Sequence, residues 1–195
     1  MDAESARPDL TAPPSPGGTS LLGRAKAGDD LAFRQLVEQH QAKVFGVALR
    51  LVGQRADAED LAQDVFVQLH AILARIESPT HLVHWLLRTV AHRSIDHLRR
   101  EGRQGRHLPL EVLDSGPDAG APESAHDPVA AAELHRLLLK LQPDARVVMV
   151  LRYQEDLDPS DIASLLGMPI ATVKSHLRRS LEWLRTQCAG ESHGS

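Results

Sequence analysis

With 195 residues, 42% of them hydrophobic and only 3% aromatic, the chain has room for one or two small domains packed with Leu, Ala and Val, and not for one large aromatic core. Cys188 is its single cysteine, which excludes an intramolecular disulfide or a multi-cysteine zinc site; no apolar run is long enough to span a bilayer. The formal net charge of −4 argues against a uniformly basic nucleic-acid binder, but the charges are segregated along the chain. Arg88, Arg93, Arg99, Arg100, Arg103 and Arg106 share one segment with only Asp96 and Glu101 against them. Acids collect at Asp57–Asp64, between Glu111 and Asp127, and at Glu155–Asp161. Such a division implies one polyanionic partner and at least one other.

Residues 1–20 are rich in Pro, Gly and Ser without periodicity, and read as a disordered tail. They lack a basic start followed by an apolar stretch, so they do not read as a secretory signal, and the expected location is the cytoplasm. Residues 21–101 carry helical periodicity throughout. Asp29 or Asp30 is placed to cap a helix with Phe33, Leu36, Val37, Val44, Val47, Ala48 and Leu51 on one stripe, stopped by Gly53. Asp57 begins the next, with Leu61, Val65, Leu69, Ile72 and Leu73 inward, and Ser78-Pro79 breaks it. A third runs from about His81 to Arg100 on Leu82, Trp85, Leu86, Val90, Ile95 and Leu98. Residues 102–128 are rich in Pro, Gly and acids, and read as a flexible linker. Helical pattern resumes over 129–188, first with Leu134, Leu137, Leu138 and Leu141, then with Val147, Val148, Val150 and Leu151; residues 189–195 read as a tail. The expected class is all-α: two small helical domains joined by a flexible acidic linker, the C-terminal one a helix-turn-helix.

That motif lies at Asp158–Leu184. Asp158 is placed to cap its first helix, with Pro159 in the first turn and Ile162, Ala163, Leu165 and Leu166 apolar. Gly167 supplies the turn and Pro169 fits the start of the second helix. Val173, Leu177, Leu181 and Leu184 face inward, leaving Thr172, Lys174, Ser175, Arg178 and Arg179 outward. That outward set suits a DNA major groove, where Lys and Arg meet phosphates or guanine edges. The blander alternatives are that Arg179 pairs with Glu182 or Asp158 and that Thr172 only starts the helix. On the second N-terminal helix, Asp60 and Asp64 share a face with Gln63 beside them and Asp57 a turn earlier. It is either a solvated acidic face or a dock for a basic partner.

The eleven His residues give no ligand set with zinc-like spacing, and no metal or cofactor is expected. Neither a phosphate-cradling loop nor a nucleophile with a supporting base stands out, so no catalytic residue is expected and the chain does not read as an enzyme. A response-regulator-like DNA binder would need an α/β domain or a small-molecule pocket at the N-terminus, where the periodicity is helical instead.

Three blocks in order resemble the extracytoplasmic-function (ECF) subfamily of bacterial RNA polymerase sigma factors. DAEDLAQDVFVQL at 57–69 is similar to its polymerase-binding helix, HWLLRTVAHRSIDHLRR at 84–100 to its promoter-melting helix, and 141–184 to its region four, including TVKSHL at 172–177. The resemblance implies a chain that binds core RNA polymerase, directs it to promoter DNA and assists melting. It implies a polymerase-binding set of Asp57, Asp60, Gln63, Asp64 and Phe66, with Phe66 alternatively in the core. Contacts to the minus-ten element would come from Ser78, Thr80, Trp85, Arg88, His92, Arg93, Arg99 and Arg100, with Trp85 alternatively in the core. Thr172, Lys174, Ser175, Arg178 and Arg179 would touch the minus-thirty-five element. A base held out of the stack would sit at the loop Glu77–Thr80; Ile76, Ser78, Leu82 and His92 depart from the usual residues there, which leaves the base's identity open. Glu111, Asp114 and Asp118 of the linker would imitate RNA in the exit path. An anti-sigma factor is a further implied partner, and no membrane insertion is expected.

Overall fold

The computed structural model describes residues 20–103 and 128–191, and all regular structure among them is helical. The expected N-terminal tail up to residue 19, the linker acids Glu111, Asp114 and Asp118, and residues 192–195 lie outside the described residues. The first half holds α1 (Leu21–Lys26), α2 (Asp30–Val52), α3 (Arg55–Ile72), a 3-10 turn (Leu73–Arg75) and α4 (Pro79–Arg103). The second holds α5 (Pro128–Leu139), α6 (Pro143–Tyr153), α7 (Pro159–Leu166) and α8 (Ile170–Glu191).

Local chemistry accounts for most of the boundaries. The Asp29 carboxylate accepts the Ala32 amide at 3.0 Å and starts α2. That bond, with help from the Arg24 guanidinium 2.6 Å away, holds its pKa below the usual carboxylate value. Gly53, at φ 80°, ends α2 in the left-handed conformation. Helix α3 begins at Arg55, two residues before Asp57, which instead places a negative charge in the positive first turn. Ser78-Pro79 both breaks one helix and starts the next: Ser78 Oγ accepts the His81 amide at 3.0 Å, and Pro79 is the first residue of α4. Asp158 precedes α7 but makes no side-chain cap; its carboxylate lies 3.7 Å from Arg152 instead. Pro169 stays outside α8, its carbonyl accepting the amides of Thr172 and Val173.

The core of the first half is Leu36, Val44, Val47 and Leu51 from α2, Val65 and Leu69 from α3, and Leu82, Leu86 and Val90 from α4, each nearly inaccessible. Burial of each such side chain is worth about 1.5–3 kcal/mol against exposure. Phe33, Phe66 and Trp85 pack on this core from its edge. The cluster continues without a break into Val147, Val148, Val150 and Leu151 of α6, Ile162, Leu165 and Leu166 of α7, and Val173 of α8. A smaller cluster of Leu137, Leu138, Met149 and Leu184 joins α5, α6 and α8. Of the leucines expected on one helix, Leu134 is 47% exposed and Leu141 lies beyond the end of α5.

Candidate nucleic-acid and partner interface

On α3 the outward residues are Asp60, Gln63 and Asp64, with Asp57 and Phe66 half-buried. Leu61 and Val65, on the flank of the helix turned to the core, are buried and hold this face outward. Phe66 packs on the core edge, as one of its two alternatives had it, and also lines an apolar groove with Phe33, Val37, Val67 and His70. Val67 is 65% exposed, and Phe33 meets His70 edge to face at 4.9 Å between centroids. The sequence reading passed over this groove; the signal was Val67 itself, an apolar residue one turn beyond Gln63 on a face otherwise polar.

On α4, Arg88, Arg99 and Arg100 are exposed and His92 and Arg93 half-buried. The His92 Nδ1 lies 2.8 Å from the Arg88 carbonyl, which leaves Nε2 as the ring atom facing away from the helix backbone. Trp85 is half-buried against the core edge, so it too is divided between core and surface. The loop before α4 is pinned on three sides. The Lys26 ammonium donates to the Ile76 carbonyl at 2.9 Å, the Glu77 amide donates to His81 Nδ1 at 3.2 Å, and Ser78 caps the helix. Thr80, expected in this loop, lies instead in the first turn of α4, where it is exposed.

The acidic face of α3 and the basic face of α4 form two walls of one cleft, lined by Leu61, Asp64, Arg93, Asp96, Arg99 and Arg100. Arg93 Nη1 donates to Asp64 Oδ2 at 2.7 Å, and its Nη2 to Gln68 Oε1 at 3.1 Å. His97 Nε2 stands 3.4 Å from Asp57. Two sets that the sequence reading treated separately are thus brought together.

Thr172, Lys174, Arg178 and Arg179 project from α8 into solvent, and Ser175 is half-buried. The face is held outward by Val173 and Leu184, which are buried. Gly167, at φ 66°, makes the turn that sets α8 across α7. Glu182 faces Arg178 at 3.8 Å, not Arg179. Both side chains are well exposed, so that pair contributes at most about 1 kcal/mol and leaves Arg178 available. The α8 residues stand apart from the α3–α4 cleft, on the other half of the chain. No helix among the described residues is long and apolar enough to cross a membrane.

Comparison with known proteins matches this division. Residues 36–104 fit the family model for Sigma-70 region 2, and residues 131–184 that for Sigma-70 region 4. The chain is 32% identical over 182 residues to the ECF RNA polymerase sigma factor SigE of Mycolicibacterium smegmatis, covering 91% of this chain and 70% of that protein. It is 28% identical over 181 residues to the ECF sigma factor SigW of Bacillus subtilis, covering 85% and 94%. Among solved structures, the sigma factor RpoE in complex with the anti-sigma factor NepR from Bartonella quintana shares the fold. The TM-score is 0.62 at 22% identity, over 79% of this chain and 94% of that one. The chain therefore belongs to the ECF subfamily of RNA polymerase sigma factors, and its function is to direct RNA polymerase to promoters at the start of transcription.

Proposed function

We propose that the two walls of the α3–α4 cleft divide the work of the first half. Asp57, Asp60, Gln63, Asp64 and Phe66 hold core RNA polymerase, while Arg88, His92, Arg93, Arg99 and Arg100, with Trp85 and the loop carrying Ser78 and Thr80, engage the minus-ten element. Thr172, Lys174, Ser175, Arg178 and Arg179 of α8 read the minus-thirty-five element. The observation that carries this reading is the segregation of charge onto opposed helix faces, acidic on α3 and basic on α4, together with a second, outward basic face on α8. The domain limits that go with it are 21–101 and 129–188.

The physics fits each role. Carboxylates spaced one turn apart on α3 suit a basic helical partner. Arginines on α4 neutralise phosphates, and each one neutralised steepens the fall of affinity with salt. A base drawn out of the stack costs a few kcal/mol, part of which stacking returns at about 1–3 kcal/mol per base. The segment Glu77–Thr80, the end of the pinned loop and the first turn of α4, offers such a base a fixed edge. The chain works in the cytoplasm, where polymerase and DNA are; it performs no catalysis itself, and an anti-sigma factor is a fitting regulator.

Run-off transcription with core polymerase tests the whole. Promoter-specific product should require the chain. Asp60→Lys should weaken polymerase association at unchanged helical content. Arg178→Ala should lower discrimination between promoter and mutant minus-thirty-five sequences by roughly 1–3 kcal/mol. Unchanged association for Asp60→Lys removes the acidic-face assignment, and an equal loss on all DNA sequences reduces Arg178 to a phosphate contact.

A further inference from the structure

Arg93 reaches across the cleft from α4 and is gripped by two side chains one turn apart on α3. Its Nη1 donates to Asp64 Oδ2 at 2.7 Å. Its Nη2 and Nε both donate to Gln68 Oε1, at 3.1 Å and 3.3 Å. A guanidinium has donors and no acceptor, so the amide oxygen of Gln68, and not its nitrogen, must face Arg93. The N–H groups outside these bonds are left for a further acceptor. The backbone that carries Gln68 is held firmly, because Val65 and Leu69 on the same helix are fully buried.

The two grips act differently on the charge. Asp64 cancels it. The Arg93 and Asp64 side chains are 37% and 60% exposed, so the pair is weak and exchanges readily with other partners. Asp64 also stands in the set assigned to core polymerase, where a basic partner would compete with Arg93 for it. Gln68 is exposed, neutral and in neither the polymerase set nor the DNA set. Its oxygen takes the Nε–Nη2 edge and so fixes the plane of the guanidinium, yet leaves the positive charge whole. A planar fork already held in place loses less freedom on meeting a phosphate than a loose side chain does. An acid at position 68 would hold the fork as well but would cancel what the phosphate needs.

We propose that Gln68 is a positioning residue for minus-ten DNA: it holds Arg93 across the cleft with its charge intact, so that the guanidinium meets a promoter phosphate when polymerase engages Asp64. This role rests on the assignment of Asp64 to polymerase and of Arg93 to the minus-ten element. Gln68 itself touches neither partner. It acts only through Arg93, and its effect should vanish when Arg93 is removed.

The test is promoter binding by the holoenzyme containing the full chain, measured at several salt concentrations. Gln68→Met, of similar length but without the acceptor, should weaken binding roughly three- to tenfold. It should also lower the salt slope towards that of one phosphate contact fewer. Gln68→Glu should leave urea unfolding at or above the wild-type value and still weaken promoter binding at least as much as Gln68→Met. A residue that merely supported the fold would be rescued by Gln68→Glu. Arg93→Ala should lower the salt slope by about one, and in that background neither Gln68 variant should change binding further. Both Gln68 variants should associate with core polymerase as the wild type does. Wild-type promoter binding by either Gln68 variant, while Arg93→Ala shows its lowered slope, overturns the positioning role. A further loss in the double variants makes Gln68 a DNA contact, and weakened association with core polymerase makes it a polymerase contact; either result overturns the role too. An unchanged salt slope for Arg93→Ala instead removes Arg93 from the minus-ten set, and the role of Gln68 falls with that assignment.

Discussion

Arg146 shows how much one side chain can carry. Burial pushes its guanidinium down to about 10, so it remains charged at neutral pH. Among the described residues no carboxylate pairs with it; helix-end carbonyls take that place. Arg146→Met would leave the carbonyls of Leu51, Leu139 and Leu141 buried without that donor. The expected loss is about 2–4 kcal/mol in urea unfolding. Arg146→Lys should recover only part, because a point ammonium cannot serve two helix ends as a planar fork does. Equal stability of all three forms would show that water replaces the guanidinium. Two glycines give a matched comparison at the same scale. Both Gly53 and Gly167 have positive φ, which costs an L side chain about 1–2 kcal/mol. A Cβ at Gly167 meets open space, but one at Gly53 would stand 2.8 Å from Leu139 Cδ1. Thermal unfolding should therefore place Gly53→Ala clearly below Gly167→Ala; the reverse order would mean the seam at Leu139 is loose. Both glycines were legible as helix stops in the sequence. Arg146 was not, because a basic residue on a helix normally lies in solvent, and nothing local announces that its partners sit at the ends of other helices.

Among the elements, α4 holds most of the residues assigned to the minus-ten element, and its start is set by a reciprocal cap. Ser78 Oγ takes the His81 amide while the His81 ring takes the amide of Glu77. Ser78→Ala should cost about 1 kcal/mol. It should also lower initiation more on duplex promoters than on templates already melted at the minus-ten element, since the cap fixes the loop assigned to base capture. His81→Gln, which keeps an acceptor at that place, should behave near wild type, as glutamine does in ordinary capping boxes. An equal loss on duplex and melted templates would make the cap merely structural. Periodicity located α2, α3, α4 and the α7–α8 motif well, since each buries a single stripe. It placed the start of α4 at His81 because Ser78-Pro79 was read only as a break, although proline in the first turn marks a beginning too. It carried the α5 pattern on to Leu141, past the helix end at Leu139.

For the whole molecule, the mutual packing of the halves was the feature least visible in sequence, since a stripe records an apolar face but not what covers it. One signal was present. Val147–Leu151 is apolar at every position, and a helix apolar on all sides is buried on more than one. The same seam makes stability depend on pH. His135 of α5 stands near Arg50 of α2 and Arg146 of α6, and its Nε2 is buried without a hydrogen-bond partner. Burial, and then the two guanidinium charges, lower its pKa below the ordinary 6.5; a hydrogen bond to the Arg50 backbone opposes them in part. Burial and Lys43 lower that of His40 likewise. For a base with a depressed folded pKa, the neutral form belongs to the folded state and unfolding takes up a proton. The stabilisation is complete above about pH 6.5 and is lost as pH falls through the lowered value. Stability in urea unfolding should therefore fall as pH is lowered below about 6.5. His135→Gln, which cannot accept the proton, should flatten that fall in part, and His40→Gln likewise. A profile unchanged by His135→Gln would place the proton-sensitive contact elsewhere in the chain.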